Sequence, residues 1–145
     1  MDTVLSATPI PAGFSPIAAP PGFVRFCGGF HFHDELPIIG VRIGGHLLNS
    51  VGIVHGGFLA TLADTAFGLV FKRQFGLDVP PVTVNLNLDY LSAVREDDWL
   101  EAHVQVLKFG SSFANADCQL KVGDRVVLRS SGIFTVWKGR RPMAG

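Results

Sequence analysis

The run Gly56–Gln74 constrains this chain more than any other part of it. At about 100° per residue, Phe58, Leu59, Ala60, Leu62, Ala63, Ala66, Phe67, Leu69, Val70 and Phe71 cover more than half of a helical circumference, too wide for a helix that keeps one face in water. The rest of the fold must enclose it. What remains is a narrow strip, Thr61, Asp64, Thr65 and Gly68, whose small or polar side chains at i, i+3, i+4 and i+7 share one face. Such a strip lets a second helix come close. Beyond Pro80-Pro81 the period changes to two: Val82, Val84, Leu86, Leu88 and Tyr90 alternate with Thr83, Asn85, Asn87 and Asp89, the pattern of a half-buried strand. Strand-like runs follow at 98–108, 112–122 and 125–137, separated by turn residues at Phe109-Gly110-Ser111 and Gly123-Asp124. Short connections imply an antiparallel meander, so the expected class is α+β, a sheet curling around one long helix.

Upstream the signals are weaker. Residues 1–22 are rich in Ala and in proline (Pro9, Pro11, Pro16, Pro20, Pro21), which disfavours helix and sheet, so an extended arm on the body is expected, with 23–145 as a single domain. Between 22 and 46 the chain is glycine-punctuated and aromatic, with one strand expected at 38–43. Twelve Lys+Arg balance twelve Asp+Glu, which leaves no basic stripe for nucleic acid. Charged residues are 17% of the chain, against about 25% in an ordinary domain. Apolar residues reach 48% with twelve Phe, more than a monomer can readily cover, so an oligomer is expected. Cys27 and Cys118 form neither a disulfide framework nor a metal clip, the pattern of reduced thiols in a cytoplasmic protein. Prolines interrupt any apolar run near the start, so no signal or membrane span is expected. His31 and His33 would point the same way with Asp34 next to them, but no third ligand stands at a recognisable spacing; neither a metal nor a cofactor is expected.

The chemistry concentrates at Asn49-Ser50-Val51-Gly52-Ile53-Val54-His55-Gly56-Gly57 and the helix that follows. At a helix start the Gly56 N–H has no intrahelical acceptor, the helix dipole favours negative charge there, and the missing side chain lets a ligand approach the backbone. Asp64 adds a carboxylate two turns on, able to activate water or attack directly, and an unpaired charge deep in an apolar helix would be costly without a purpose. That is equipment for acyl transfer. At about 1.5 Å rise per residue the two groups lie roughly 12 Å apart along one helix, too far for one carbonyl to meet both. A two-fold partner with its helix antiparallel would bring Asp64 of one subunit opposite the helix start of the other.

Asn49, Gly52, His55-Gly56-Gly57, Leu62-Ala63-Asp64-Thr65-Ala66 and the strand Val82–Leu91 together resemble the hotdog-fold thioesterases, in particular the phenylacetic acid degradation (PaaI-type) branch, over about residues 36–137. The resemblance implies a long central helix wrapped by a curved antiparallel sheet, a dimer or dimer of dimers, and hydrolysis of an acyl-CoA thioester to free acid and CoA. It assigns the Gly56 amide to the thioester carbonyl, Asp64 to base or nucleophile, and the Thr83 hydroxyl to the attacking water, although a β-branched residue also simply suits a strand. Asn49 would meet water or the carbonyl, or be plain turn chemistry. His55 would hydrogen-bond the departing thiolate or brace the loop. Gly57, Thr65, Gly110 and Ser111 would contact substrate. Two departures stand out: Asp97-Asp98 where the family often has Gly-Asp, a change of turn, and Ser111 where a basic residue often follows the glycine, which removes a phosphate contact. Lys108, Arg95, Arg140 and Arg141 are candidates for CoA phosphates or ordinary solvated cations. Phe58, Phe67 and Phe71 are core, acyl pocket or both. A noncatalytic acyl-CoA binding protein on the same fold is the alternative; the Asp-x-Asn-x-x-His arrangement of a hotdog dehydratase is not present. Whether the acyl carrier is CoA or an acyl carrier protein stays open.

Overall fold

The computed structural model describes residues 8–136. Its elements are β1 (Phe14–Pro16), α1 (Phe23–Cys27), β2 (Phe30–His33), β3 (Ile38–Arg42), a 3-10 turn at Gly45–Leu47, α2 (Gly56–Gln74), β4 (Val82–Tyr90), β5 (Trp99–Phe109), β6 (Phe113–Val122) and β7 (Arg125–Thr135). The strands form one antiparallel sheet in the order β1-β2-β3-β5-β6-β7-β4. This sheet curls around α2, which touches β3 through β7. The enclosed helix and the hotdog architecture are as the sequence implies.

The helix is buried where its sequence is widest in apolar character: Phe58, Leu59, Leu62, Ala63, Ala66, Phe67, Val70 and Phe71 face the sheet. Phe134 of β7 lies 5.0 Å from Phe67 and 5.1 Å from Phe71, ring centroid to centroid. Gly132 makes room for that cluster, since a Cβ there would sit 2.5 Å from the Phe134 ring. Cys118 belongs to the same core, where burial pushes its thiol up to about 12. Both Cys27 and Cys118 are free thiols.

The three C-terminal strands fall close to their expected bounds, with Trp137 outside the described residues. Upstream the expectation was incomplete. The proline-rich segment carries β1, which pairs with β2 from Phe14↔His33 to Pro16↔His31. Proline is tolerated there because β1 is the edge of the sheet, where a missing N–H costs no interior ladder bond. Phe14 packs edge-on against His33 and Trp99, so local composition yields to a tertiary contact. At the turn before β5, Asp97 holds φ +67°. The aspartate therefore occupies a left-handed backbone position that suits glycine, and the residue change there has not removed that conformation from the turn.

Strand β4 corrects the simple alternation. Thr83 pairs with Phe134 but Asn85 with Ile133, so Val84 is an extra residue in a bulge. Leu86 and Leu88 pack against the core while Val82 and Val84 are exposed. An uninterrupted period of two would put Thr83 on the face opposite Leu86. The bulge returns it to the helix side.

Candidate active site

The loop before α2 is built to hold its own backbone. Asn49 Oδ1 accepts from the N–H groups of Val51 (3.0 Å) and Ile53 (3.2 Å), and Asn49 N–H donates to Ile53 O (2.7 Å). These bonds are turn chemistry, and they leave the Asn49 Nδ2 as the side chain's remaining donor. Leu48 and Val54 bridge across the loop's base. His55, extended at φ −60°, ψ 132°, is the N-cap: its Nδ1 accepts from Gly57 N–H at 2.8 Å. Accepting at Nδ1 puts the neutral ring's proton on Nε2. His55 therefore braces the loop and still offers one donor outward.

The same cap isolates Gly56. Its N–H donates to no described residue, while Gly57 N–H is taken by His55. Tyr90, at the end of β4, donates its hydroxyl to Gly56 O at 2.8 Å, and its ring would stand 3.2 Å from any Cβ at position 56. A single free donor at a helix N-terminus, with backbone exposed beside it, suits an anionic oxygen. Tyr90 is not among the sequence candidates: alternation puts it at the end of β4, and nothing local ties it to the helix start.

Thr83 and Asp64 come together. Thr83 Oγ1 donates to Asp64 Oδ1 at 2.6 Å, and Asp64 Oδ2 accepts from no described residue. Asp64 itself is exposed. The expectation of a charge deep in an apolar helix is thus corrected: the carboxylate stands on the strip with Thr61, Thr65 and Gly68, all half-buried, and a single chain leaves it in water. Thr61 Oγ1 donates back to Gly57 O, and the Thr65 side chain forms no hydrogen bond among the described residues.

Gly110 and Ser111 are not brought to this turn within one chain. They sit in the β5–β6 hairpin, where Gly110 N–H donates to Phe113 O and a Cβ at 110 would meet that oxygen at 2.8 Å. Neighbouring Phe109 stacks on Phe75 at 3.9 Å, which fixes the hairpin at the C-terminal end of α2. A 19-residue helix spans roughly 28 Å, so Gly56 lies at the far end. Lys108 and Arg95 are exposed, and Arg140 and Arg141 fall outside the described residues. Phe67 and Phe71 are fully buried core; Phe58 is buried and also lines a cavity. His31 Nδ1 bonds Gly29 O and His33 Nδ1 accepts from Glu35 and Leu36 N–H, so both serve their own hairpin.

Comparison with known proteins identifies the family and the fold. The model of a family described as the thioesterase superfamily matches residues 51–129. A Pseudomonas aeruginosa protein named "Putative esterase" is 34% identical over 128 residues, covering 86% of this chain and 96% of the relative. Among solved structures, the E. coli PaaI protein from the phenylacetic acid degradation operon superposes with a TM-score of 0.64 at 25% identity, covering 77% of this chain and 75% of that one. A Bacillus halodurans protein crystallised with CoA gives a TM-score of 0.64 at 28% identity, covering 71% and 68%. With its matched family model, its relative over most of its length and its helix-in-sheet architecture, this chain belongs to the thioesterase superfamily and is a PaaI-like member of the hotdog fold.

Proposed function

We propose that this protein hydrolyses acyl-CoA thioesters at two equivalent sites, each shared across a homodimer. Family membership supports thioester hydrolysis as the reaction class, and the CoA carried by the Bacillus halodurans neighbour supports CoA as the carrier. The observation that carries the reading is the pairing of a free Gly56 N–H with a carboxylate whose Oδ2 is open.

In the base route, Asp64 Oδ2 takes a proton from water while the water oxygen bonds to the carbonyl carbon. Thr83 donates its hydroxyl hydrogen bond to Asp64 Oδ1, so its oxygen lone pairs are available to hold that water. The carbonyl oxygen becomes an oxyanion at the Gly56 N–H. Collapse breaks the C–S bond, and the outward Nε2–H of His55 donates to the departing thiolate. In the nucleophile route Asp64 itself attacks and water then cleaves the mixed anhydride. Both need the carboxylate near a helix start that its own chain holds roughly 12 Å away.

A two-fold partner supplies that closeness. The strip around Asp64 is an open face of α2 among the described residues, and β4 is an edge strand of nine residues with exposed Val82, Val84 and Tyr90. Apolar edges of this length are ordinarily covered. Antiparallel α2 helices would also carry the partner's β5–β6 hairpin toward this chain's helix start, which gives Gly110 and Ser111 a place beside the substrate. The test is thiol release from a panel of acyl-CoAs. Asp64→Asn is expected to lower turnover by about 10²–10⁴-fold with an unchanged melting profile. Undiminished turnover overturns the assignment, and tight acyl-CoA binding without turnover in the wild type favours a binding protein instead.

A further inference from the structure

We infer that α1 and the start of α2 form an acyl-binding cavity, selecting short- to medium-length apolar acyl groups through Phe23 and Phe26. This deepens the thioesterase reading and rests on it. The cavity measures about 380 Å³ and is lined by Phe23, Phe26, Cys27, Leu47, Leu48 and Phe58 together with His46, His55 and Gly57. Those last two flank Gly56, so an acyl chain whose carbonyl meets the Gly56 N–H has this cavity beside it.

The walls have a feature that their own fold does not explain. Phe26 is 82% exposed and Phe23 65%, on a five-residue helix that buries only Cys27. Two large aromatic side chains left in water on so short an element are stabilised by anything apolar laid against them. The element is nonetheless held in place: His46 Nε2 donates to Cys27 O at 2.7 Å, and Gly44 leaves room for the His46 ring, since a Cβ there would meet it at 2.8 Å. Gly28 and Gly29, at φ +79° and +74°, turn the chain sharply from α1 into β2. Burial of Cys27 and Phe30 on either side of that turn anchors it to the core. The segment also lies outside the residues 51–129 that match the family model, so this wall is equipment that the model does not describe.

Size sets the class of ligand. A cavity of about 150 Å³ takes up benzene, so 380 Å³ admits a medium-length chain or one ring with its linker. A long fatty chain would fill it and run out into solvent. Each methylene placed inside is expected to improve binding by roughly three- to fourfold until the space is full.

Binding is read in the Asp64→Asn background, where turnover does not interfere, by calorimetry with CoA and with acyl-CoAs of increasing length. Affinity is expected to rise stepwise from acetyl- to about octanoyl-CoA and then to level off. Adding Phe26→Ala should lower the octanoyl-to-acetyl affinity ratio by about tenfold, and Phe23→Ala should lower it in the same direction. Both residues are exposed, so folding is not at stake. A ratio untouched by both substitutions, or affinity that keeps rising through palmitoyl-CoA, overturns the inference. An acyl ladder in binding with no hydrolysis by the wild type would instead remove the thioesterase reading and leave the cavity standing.

Discussion

At the scale of single residues, the 2.6 Å bond from Thr83 to Asp64 is the contact that turns an exposed carboxylate into a positioned one. An unheld aspartate on a helix surface samples several rotamers, and a charge-assisted hydrogen bond of this length selects one. Thr83→Val keeps the shape and removes the donor, so kcat is expected to fall about tenfold with KM little changed, because the proposed acyl cavity is not lined by residue 83. Thr83→Ser retains the hydroxyl and should keep most of the rate. Equal rates for Val and Ser would show that the hydroxyl has no part in the reaction. The types at these positions were legible in the sequence; their exposure was not. Asp64 falls in an apolar run, and only the arrangement of the sheet reveals that the strip carrying it faces out. Tyr90 was equally hidden, since no local pattern says that a strand-end tyrosine reaches back 34 positions to a helix start.

Secondary-structure elements were legible where periodicity was long and strong. The breadth of the apolar face of α2 and the turns around β5, β6 and β7 are properties of contiguous sequence, and they placed those elements well. Segments that depend on distant partners did not show themselves: β1 exists because β2 lies beside it and Trp99 lies under Phe14. The bulge at Val84 is the same kind of fact, since a one-residue insertion in a strand leaves composition unchanged and still decides whether Thr83 faces the helix. Turn chemistry offers a test at this scale. Asp97 stands at φ +67°, with its N–H donating to Ile43 O and its O accepting from Arg42 Nη1, so both fixed contacts are made by backbone atoms. Asp97→Gly keeps them and relieves the left-handed strain, against some added freedom in the unfolded chain. Stability is expected to rise by roughly 0.5–1 kcal/mol, read as a higher urea midpoint with an unchanged slope. A lower midpoint would mean that the Asp97 side chain contributes something no contact in the structure accounts for.

At the scale of the whole molecule, the low charged fraction and high apolar content suggest an oligomer, and the dimer proposed above would use the open strip on α2 beside the exposed apolar edge of β4. If the working site is split between two copies, each half can be removed in a different chain. Gly56→Pro deletes the N–H at little structural cost, because the first helical position tolerates proline and His55 at φ −60°, ψ 132° already has the conformation required before it. The Tyr90 ring must move slightly to admit the new side chain. That protein alone should lose on the order of 10²–10³ in turnover, and Asp64→Asn alone should be equally poor. Mixed in equal amounts and allowed to exchange subunits, half of the dimers are hybrids, and in each hybrid one of two sites joins an intact Gly56 to an intact Asp64. Activity should return to roughly a quarter of the wild-type rate per chain. If both groups served the same carbonyl within one polypeptide, every chain in the mixture would lack one of them, and mixing would restore nothing.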